Sequence, residues 1–214
     1  MGALPSASAL AGMSTSTRHI ATSIPMLLHA CAICAKEFRS SSRCGVTRKR
    51  LLRGNYYQVH GAINQPKGVQ KPHIPLLIGG GGEKVTLKLV AQYGDACNIG
   101  HLEPEATAHK FEIMHKHCEE VGRDYHDINR TILLNCSIAE TDEQALERAQ
   151  TANFARNTGG LEHLRPRALI GTPEMIRQRL NEYEQSGAQE VILYFPAPEQ
   201  LESLRMFARE VMGK

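Results

Sequence analysis

No stretch of this 214-residue chain carries an apolar run long enough to cross a bilayer, which excludes an integral membrane protein. There is no Gly-x-Gly-x-x-Gly and no Walker Lys-Ser/Thr behind a glycine run, so neither standard nucleotide fingerprint is present. No Ser-His-Asp order and no pair of carboxylates at a defining spacing marks a hydrolase. The basic excess of a nucleic-acid binder is also missing where it would count. Residues 51–214 carry 18 basic and 21 acidic side chains, and the surplus of positive charge sits in residues 1–50, with seven Lys/Arg against Glu37 alone. The six cysteines do not form a disulfide framework. Cys97, Cys118 and Cys136 lie among apolar residues, where a free cysteine packs as a small hydrophobe, and they imply a reducing, cytoplasmic compartment.

What is present is centred on residues 74–93. Ile74 to Ile78 is a short apolar run suited to a buried strand, Gly79 to Gly82 can take positive φ, and Glu83 begins a helical pattern with Val85, Leu87, Leu89 and Val90 apolar. A strand that ends in glycines and feeds a helix presents free amides and the positive end of a helix dipole, the geometry that binds phosphate. Read locally, the same four glycines serve equally as a tight turn.

The rest of the chain repeats the strand–helix alternation. Asp95 to Ile99 predicts a strand ending at Gly100. Glu103-Pro104-Glu105 opens a helix running to about Val121 and stopped by Gly122. Thr131 to Ile138 predicts a strand, Thr141-Asp142-Glu143 the start of a helix to about Arg156, and Arg167 to Ile170 a short strand. Thr172 and Pro173 start a helix ending near Gly187; Glu190 to Phe195 is the last strand and Pro198 to Met212 a terminal helix. Five alternations with short loops imply parallel strands, in a doubly wound sheet or in part of a β/α barrel. Ligands of either bind at the carboxyl ends of the strands, where Gly79–Gly82, Asn98–His101 and Phe195–Pro198 fall.

Residues 1–53 have a different texture: twelve Ser/Thr, the cluster Arg48-Lys49-Arg50, and little apolar periodicity outside 24–33. They predict an irregular or disordered segment, with at most a short helix near 24–37 and a transit-peptide-like composition. Cys31-x-x-Cys34 with Cys44 and His29 could bind zinc or do redox chemistry, but no second pair at finger spacing accompanies it. His115 and His117 are two apart and His109 and His115 six apart, so this helix offers no metal pair at three- or four-residue spacing. They are expected on its solvated face. His101 follows a strand end on the ligand face.

Gly54-Asn55-Tyr56-Tyr57, the Pro-Lys and Gln-Lys-Pro approach, Ile78 to Lys84, Asp95-Ala96-Cys97-Asn98, Cys118 to Asp124, Gly171-Thr172-Pro173-Glu174 and the closing Phe207 to Met212 occur in this order. As a set they resemble the luciferase-like monooxygenase superfamily, specifically its coenzyme F420-dependent oxidoreductases of actinobacteria, over residues 54–214. The resemblance implies an α/β fold, the carboxyl-terminal part of a TIM (β/α)8 barrel. It also implies F420, or alternatively FMN, as cofactor, with Gly79, Gly80, Gly81, Gly82 and Glu83 at the cofactor phosphate and Asn98 in the pocket. Hydride transfer to or from a small organic substrate would follow, with no catalytic residue and no metal ligand assigned, and a homo-oligomer as a possible assembly. Residues 1–53 do not match the family's first β/α units. A reading-frame error upstream of Gly54 and a truncated, weakly active chain are therefore expected; the alternative is a non-catalytic interaction remnant.

Overall fold

The computed structural model describes residues 50–53, 58–62, 69–71, 73–151, 159–195 and 201–213. The Cys31–Cys34 pair, the helix expected near 24–37 and Tyr56 lie outside them.

Strands β1 (Arg50–Arg53) and β2 (Gln58–Ala62) form an antiparallel pair. Tyr56 to Val59 reads in the sequence as a short strand-like piece, and β2 takes up its Gln58 and Val59, whereas β1 lies in the segment expected to be irregular and corrects that expectation at Arg50–Arg53. The main sheet is parallel: β3 (Leu77–Gly79), β4 (Ala96–Gly100), β5 (Asn129–Ile138), β6 (Leu169–Gly171) and β7 (Glu190–Tyr194). The ten-residue β5 is its centre. β4 and β7 both pair with Thr131–Leu133 and so flank β5 on opposite edges, while β6 pairs further along, at Cys136–Ile138. Between the strands run α1 (Thr86–Tyr93), α2 (Pro104–Val121), α3 (Asp142–Thr151), the one-turn α4 (Leu161–Leu164) and α5 (Pro173–Gln185). The short α6 (Glu202–Met206) continues into a π-helical turn at Phe207–Val211.

One face of the sheet is covered by helices. Ile78, Cys97, Ile99, Ile132 and Leu134 pack there in one core with Leu87 and Val90 of α1, Phe111, Met114 and Cys118 of α2, and Ile176 and Tyr183 of α5. Burying each such aliphatic or aromatic side chain stabilises by about 1.5–3 kcal/mol. The pattern of α2 explains its place: Thr107, Phe111, Met114 and Cys118 recur every three or four residues and are its buried positions. Gly122, at φ 67°, ends the helix in the left-handed region, and the Arg123 amide returns to the Cys118 carbonyl. Tyr183 is wholly buried; its hydroxyl donates to the Leu102 carbonyl at 2.8 Å, and burial pushes its pKa up to about 12. A smaller core of Ala139, Ala145, Ala149, Leu164, Ala168 and Ile170 lies under α3 and α4.

The opposite face is more open. Leu77, Ile192 and Tyr194 project from it, with Leu77 45% and Tyr194 54% exposed. The strand expected over Ile74–Ile78 is therefore shorter, shifted to Leu77–Gly79, and buried only at Ile78; Ile74 is 63% exposed. The Asp95 carboxylate takes the Leu76 amide at 2.7 Å, and the Leu76 carbonyl accepts from the amides of Asp95 and Ala96. Regular pairing begins only after this clasp. No helix among the described residues is long and apolar enough to cross a membrane.

Candidate cofactor site

The glycine loop leaves the sheet where β3 meets β4. Gly79 pairs with Asn98, and the Gly80 amide donates to the Asn98 carbonyl at 2.9 Å. Gly80 then adopts φ +121°, a conformation that L side chains rarely enter. The loop folds back tightly: the Gly82 carbonyl accepts from the Leu87 amide at 3.0 Å, and a Cβ on Gly82 would lie 2.8 Å from Thr86 Oγ1. Helix α1 opens with no side-chain cap and no acidic residue in its first turn. Among the described residues the amides of Gly81, Gly82 and Glu83 meet no acceptor. Free amides ahead of the positive end of a helix are an arrangement that favours an anion.

Asn98 forms the wall. Its side-chain oxygen is buried and has no hydrogen-bond partner. An unpaired buried oxygen costs about 1–3 kcal/mol, so a hydrogen-bond donor that reached it would be favoured. Gly79, Asn98 and Thr131 stand in one register row of the sheet. Thr131 is satisfied, its hydroxyl donating to the Cys97 carbonyl at 2.8 Å. The loop and the orphaned oxygen together fit a phosphate-bearing, hydrogen-bonding cofactor.

Helix α2 supplies the outer rim. Lys110 Nζ lies 2.6 Å from Glu83 Oε1, and His117 Nε2 lies 2.8 Å from the Glu83 carbonyl. The Lys110 ammonium beside it holds the Glu83 carboxyl below the usual carboxylate range. His117 Nδ1 faces Glu120, which also pairs with Lys88 of α1. His117 is thus a bridge between α1 and α2, not the solvated residue its spacing suggested. His115 packs edge-on against Tyr125. Among the described residues no group of three potential metal ligands forms.

The structure brings all six expected residues together. Gly79–Gly82 and Asn98 share the carboxyl ends of two adjacent strands, and Glu83 closes the loop but turns its carboxylate onto Lys110. Lys110 had no signal in the sequence, since only the α1–α2 packing carries it to the loop. His101, at the end of β4, has φ 56°, the one non-glycine in the left-handed region among the described residues. Desolvation lowers its pKa, and its amide donates to the Leu133 carbonyl at 3.0 Å. Such a conformation is commonest at functional sites. The buried thiols of Cys97 and Cys136 are pushed up to about 11 and about 12 by desolvation and remain protonated.

The family model for luciferase-like monooxygenases matches residues 45–190. Among solved structures, an F420-dependent secondary alcohol dehydrogenase in complex with an F420-acetone adduct superposes with TM-score 0.67 at 16% identity, over 77% of this chain and 56% of that one. The coenzyme F420 dependent tetrahydromethanopterin reductase of Methanopyrus kandleri gives 0.63 at 15% identity, over 76% and 57%. The monooxygenase RslO1 of Streptomyces bottropensis gives 0.65 at 17%, over 80% and 57%. The chain thus spans little more than half the length of these structures. No curated protein sequence matches it. The parallel β/α architecture is that of these barrel enzymes, and the chain belongs to the luciferase-like monooxygenase family.

Proposed function

We propose that the chain binds a flavin-type cofactor, F420 or FMN, by its phosphate on the amides of Gly81, Gly82 and Glu83, and that its chemistry is hydride transfer between that cofactor and a small organic substrate. The observation that carries this reading is the uncapped start of α1, with free amides on a loop where Gly80 and Gly82 leave no room for a side chain. The family, the F420-dependent neighbours and the monooxygenase neighbour support the oxidoreductase class. Gly80 and Gly82 keep the backbone close to the phosphate, and the orphaned Asn98 oxygen accepts a hydrogen bond from the ligand. The cofactor itself supplies the hydride chemistry; the protein binds and orients it.

Weak turnover is expected of this chain. Among the described residues the sheet stays open, and Leu77, Ile192 and Tyr194 are exposed on the face that closure would cover. The same exposure favours a second reading, a self-associating remnant without turnover. The free thiols of Cys97, Cys118 and Cys136 support a cytoplasmic location. Titration with F420 and with FMN, read by cofactor fluorescence, tests the first reading. Saturable one-to-one binding of either is expected, and binding of neither sinks it. Cofactor retention on gel filtration without turnover would favour the second.

A further inference from the structure

We propose that Lys110 is the side-chain cation of the phosphate site and that Glu83 is the counter-ion it exchanges for the phosphate. This rests on the phosphate-cradle reading above and adds a residue and a sequence of contacts to it. The loop is built from β3 and α1, but the charge arrives from another element. Lys110 stands in the second turn of α2, and its Cε lies 3.9 Å from where a Cβ on Gly81 would be. Its stem therefore runs along the cradle, and its ammonium ends on Glu83 at 2.6 Å. Lys110 is 20% exposed and Glu83 44%, so the acid is the outer and freer partner.

The orientation of Glu83 is informative. Glu83 follows the glycines directly and its own amide is one of the three without acceptors, yet its carboxylate bonds Lys110. A phosphate entering the cradle would come close to the Glu83 carboxylate, and two neighbouring anions repel unless a cation stands between them. Lys110 is the cation already there. His117 holds the Glu83 backbone through its carbonyl, so the side chain of Glu83 can swing into solvent without moving the loop. In the free protein Glu83 keeps the lysine over the cradle; in the bound state the ammonium bonds the phosphate and Glu83 is displaced.

The test compares FMN with riboflavin, and F420 with its phosphate-free deazaflavin chromophore, in the wild type and in three variants. Lys110→Gln should lose about tenfold or more in affinity for the phosphate-bearing member of the pair that binds, with the phosphate-free member unchanged, as expected for one charge-assisted hydrogen bond. Lys110→Arg should keep most of the discrimination. Glu83→Gln should tighten the phosphate-bearing ligand severalfold, and higher salt should narrow the wild-type preference. If Lys110→Gln keeps the wild-type preference, the amides alone hold the phosphate and Lys110 has no such role. An equal loss for both members makes Lys110 structural and overturns the proposal, and Glu83→Gln weakening the phosphate-bearing ligand overturns the exchange. A wild type that binds both members of each pair equally removes the cradle reading itself, and the proposal with it.

Discussion

The chain contains the same strand twice with different endings. β3 and β6 both read Leu-Ile-Gly, both are three residues long, and each feeds a helix. After β6 the helix starts almost at once: Gly171 turns at φ +141°, Thr172 is the N-cap residue, and Pro173 occupies the first helical position, where an amide would have been orphaned. Thr172 makes no side-chain cap bond, but an acid stands in the first turn: Glu174 pairs with Arg177 at 2.7 Å, and its carboxyl is held below the usual value chiefly by its own amide and by Thr172 beside it. The start of α5 thus has an acid of its own beside it. After β3 three further glycines and an uncapped turn intervene, and the nearest carboxylate, Glu83, is drawn away by Lys110. One strand–helix junction carries an acid in the first turn of its helix, and the other has none there and loses its nearest carboxylate to Lys110. The difference is in the turn and not in the strand, and it makes only the first junction a candidate for an anion.

The comparison breaks if the two turns respond alike to a side chain. Gly80→Val forces a β-branched residue to φ +121° with Thr86 Cγ2 3.3 Å from its Cβ. It should cost about 1–3 kcal/mol of stability and at least tenfold in cofactor affinity. Gly171→Ala is also strained, and its Cβ would meet Met175 Sδ at 2.8 Å, the far part of a flexible side chain. It should cost about 1–2 kcal/mol in urea unfolding and leave cofactor affinity unchanged. Equal loss of affinity in both variants would show that general destabilisation, and not the cradle, governs binding.

Much of this contrast was legible in the residues. The glycine run, the Thr-Pro-Glu start of α5, the helix from Pro104 to Val121 and the order of the strands follow from local signals whose cause lies within a few residues. What escaped depends on contacts between distant positions. Lys110 reaches Glu83 across 27 residues, and His117 reaches it across 34. The Asp95 clasp on Leu76 spans 19 and shortens β3 from the apolar run that suggested it. Apolar patterning marks Ile74 and Leu77 as strand material, but it does not say which face the rest of the protein covers. His101 was noticed as a strand-end histidine, but a left-handed backbone leaves no mark in a residue's name.

That clasp sharpens the comparison by a smaller amount. β3 pairs only with β4 among the described strands, and Asp95 anchors it ahead of the first paired residue. Asp95→Ala leaves the Leu76 amide without its charged acceptor and should lower stability by about 1–2 kcal/mol, with Asp95→Asn losing less because its side-chain oxygen can still accept. Because the loop begins three residues beyond β3's first paired position, cofactor affinity should fall with Asp95→Ala too. Thermal unfolding and fluorescence titration read the two effects. An Asp95→Ala protein with wild-type stability would mean that the ladder with β4 alone holds the strand.

The smallest effect is in the two acids themselves. Both Glu83 and Glu174 have carboxyls held below the usual value of 4.5, but for different reasons: Lys110 is the leading cause for Glu83, whereas for Glu174 it is its own backbone amide, followed by Thr172. Carbon-detected NMR titration should therefore show Glu83 returning toward 4.5 in Lys110→Gln, while Glu174 stays depressed in Arg177→Gln. In linkage terms a depressed folded-state pKa gives stability that is present above about 4.5 and lost as pH falls through the folded value. Lys110→Gln should thus flatten the acid limb of the stability curve nearly as much as Glu83→Gln does, whereas Arg177→Gln should leave most of the Glu174 contribution in place. If Glu83 stayed depressed without Lys110, the loop amides would be the leading influence on its carboxyl, as the Glu174 amide is at the β6 junction, and the contrast between the two junctions would fail.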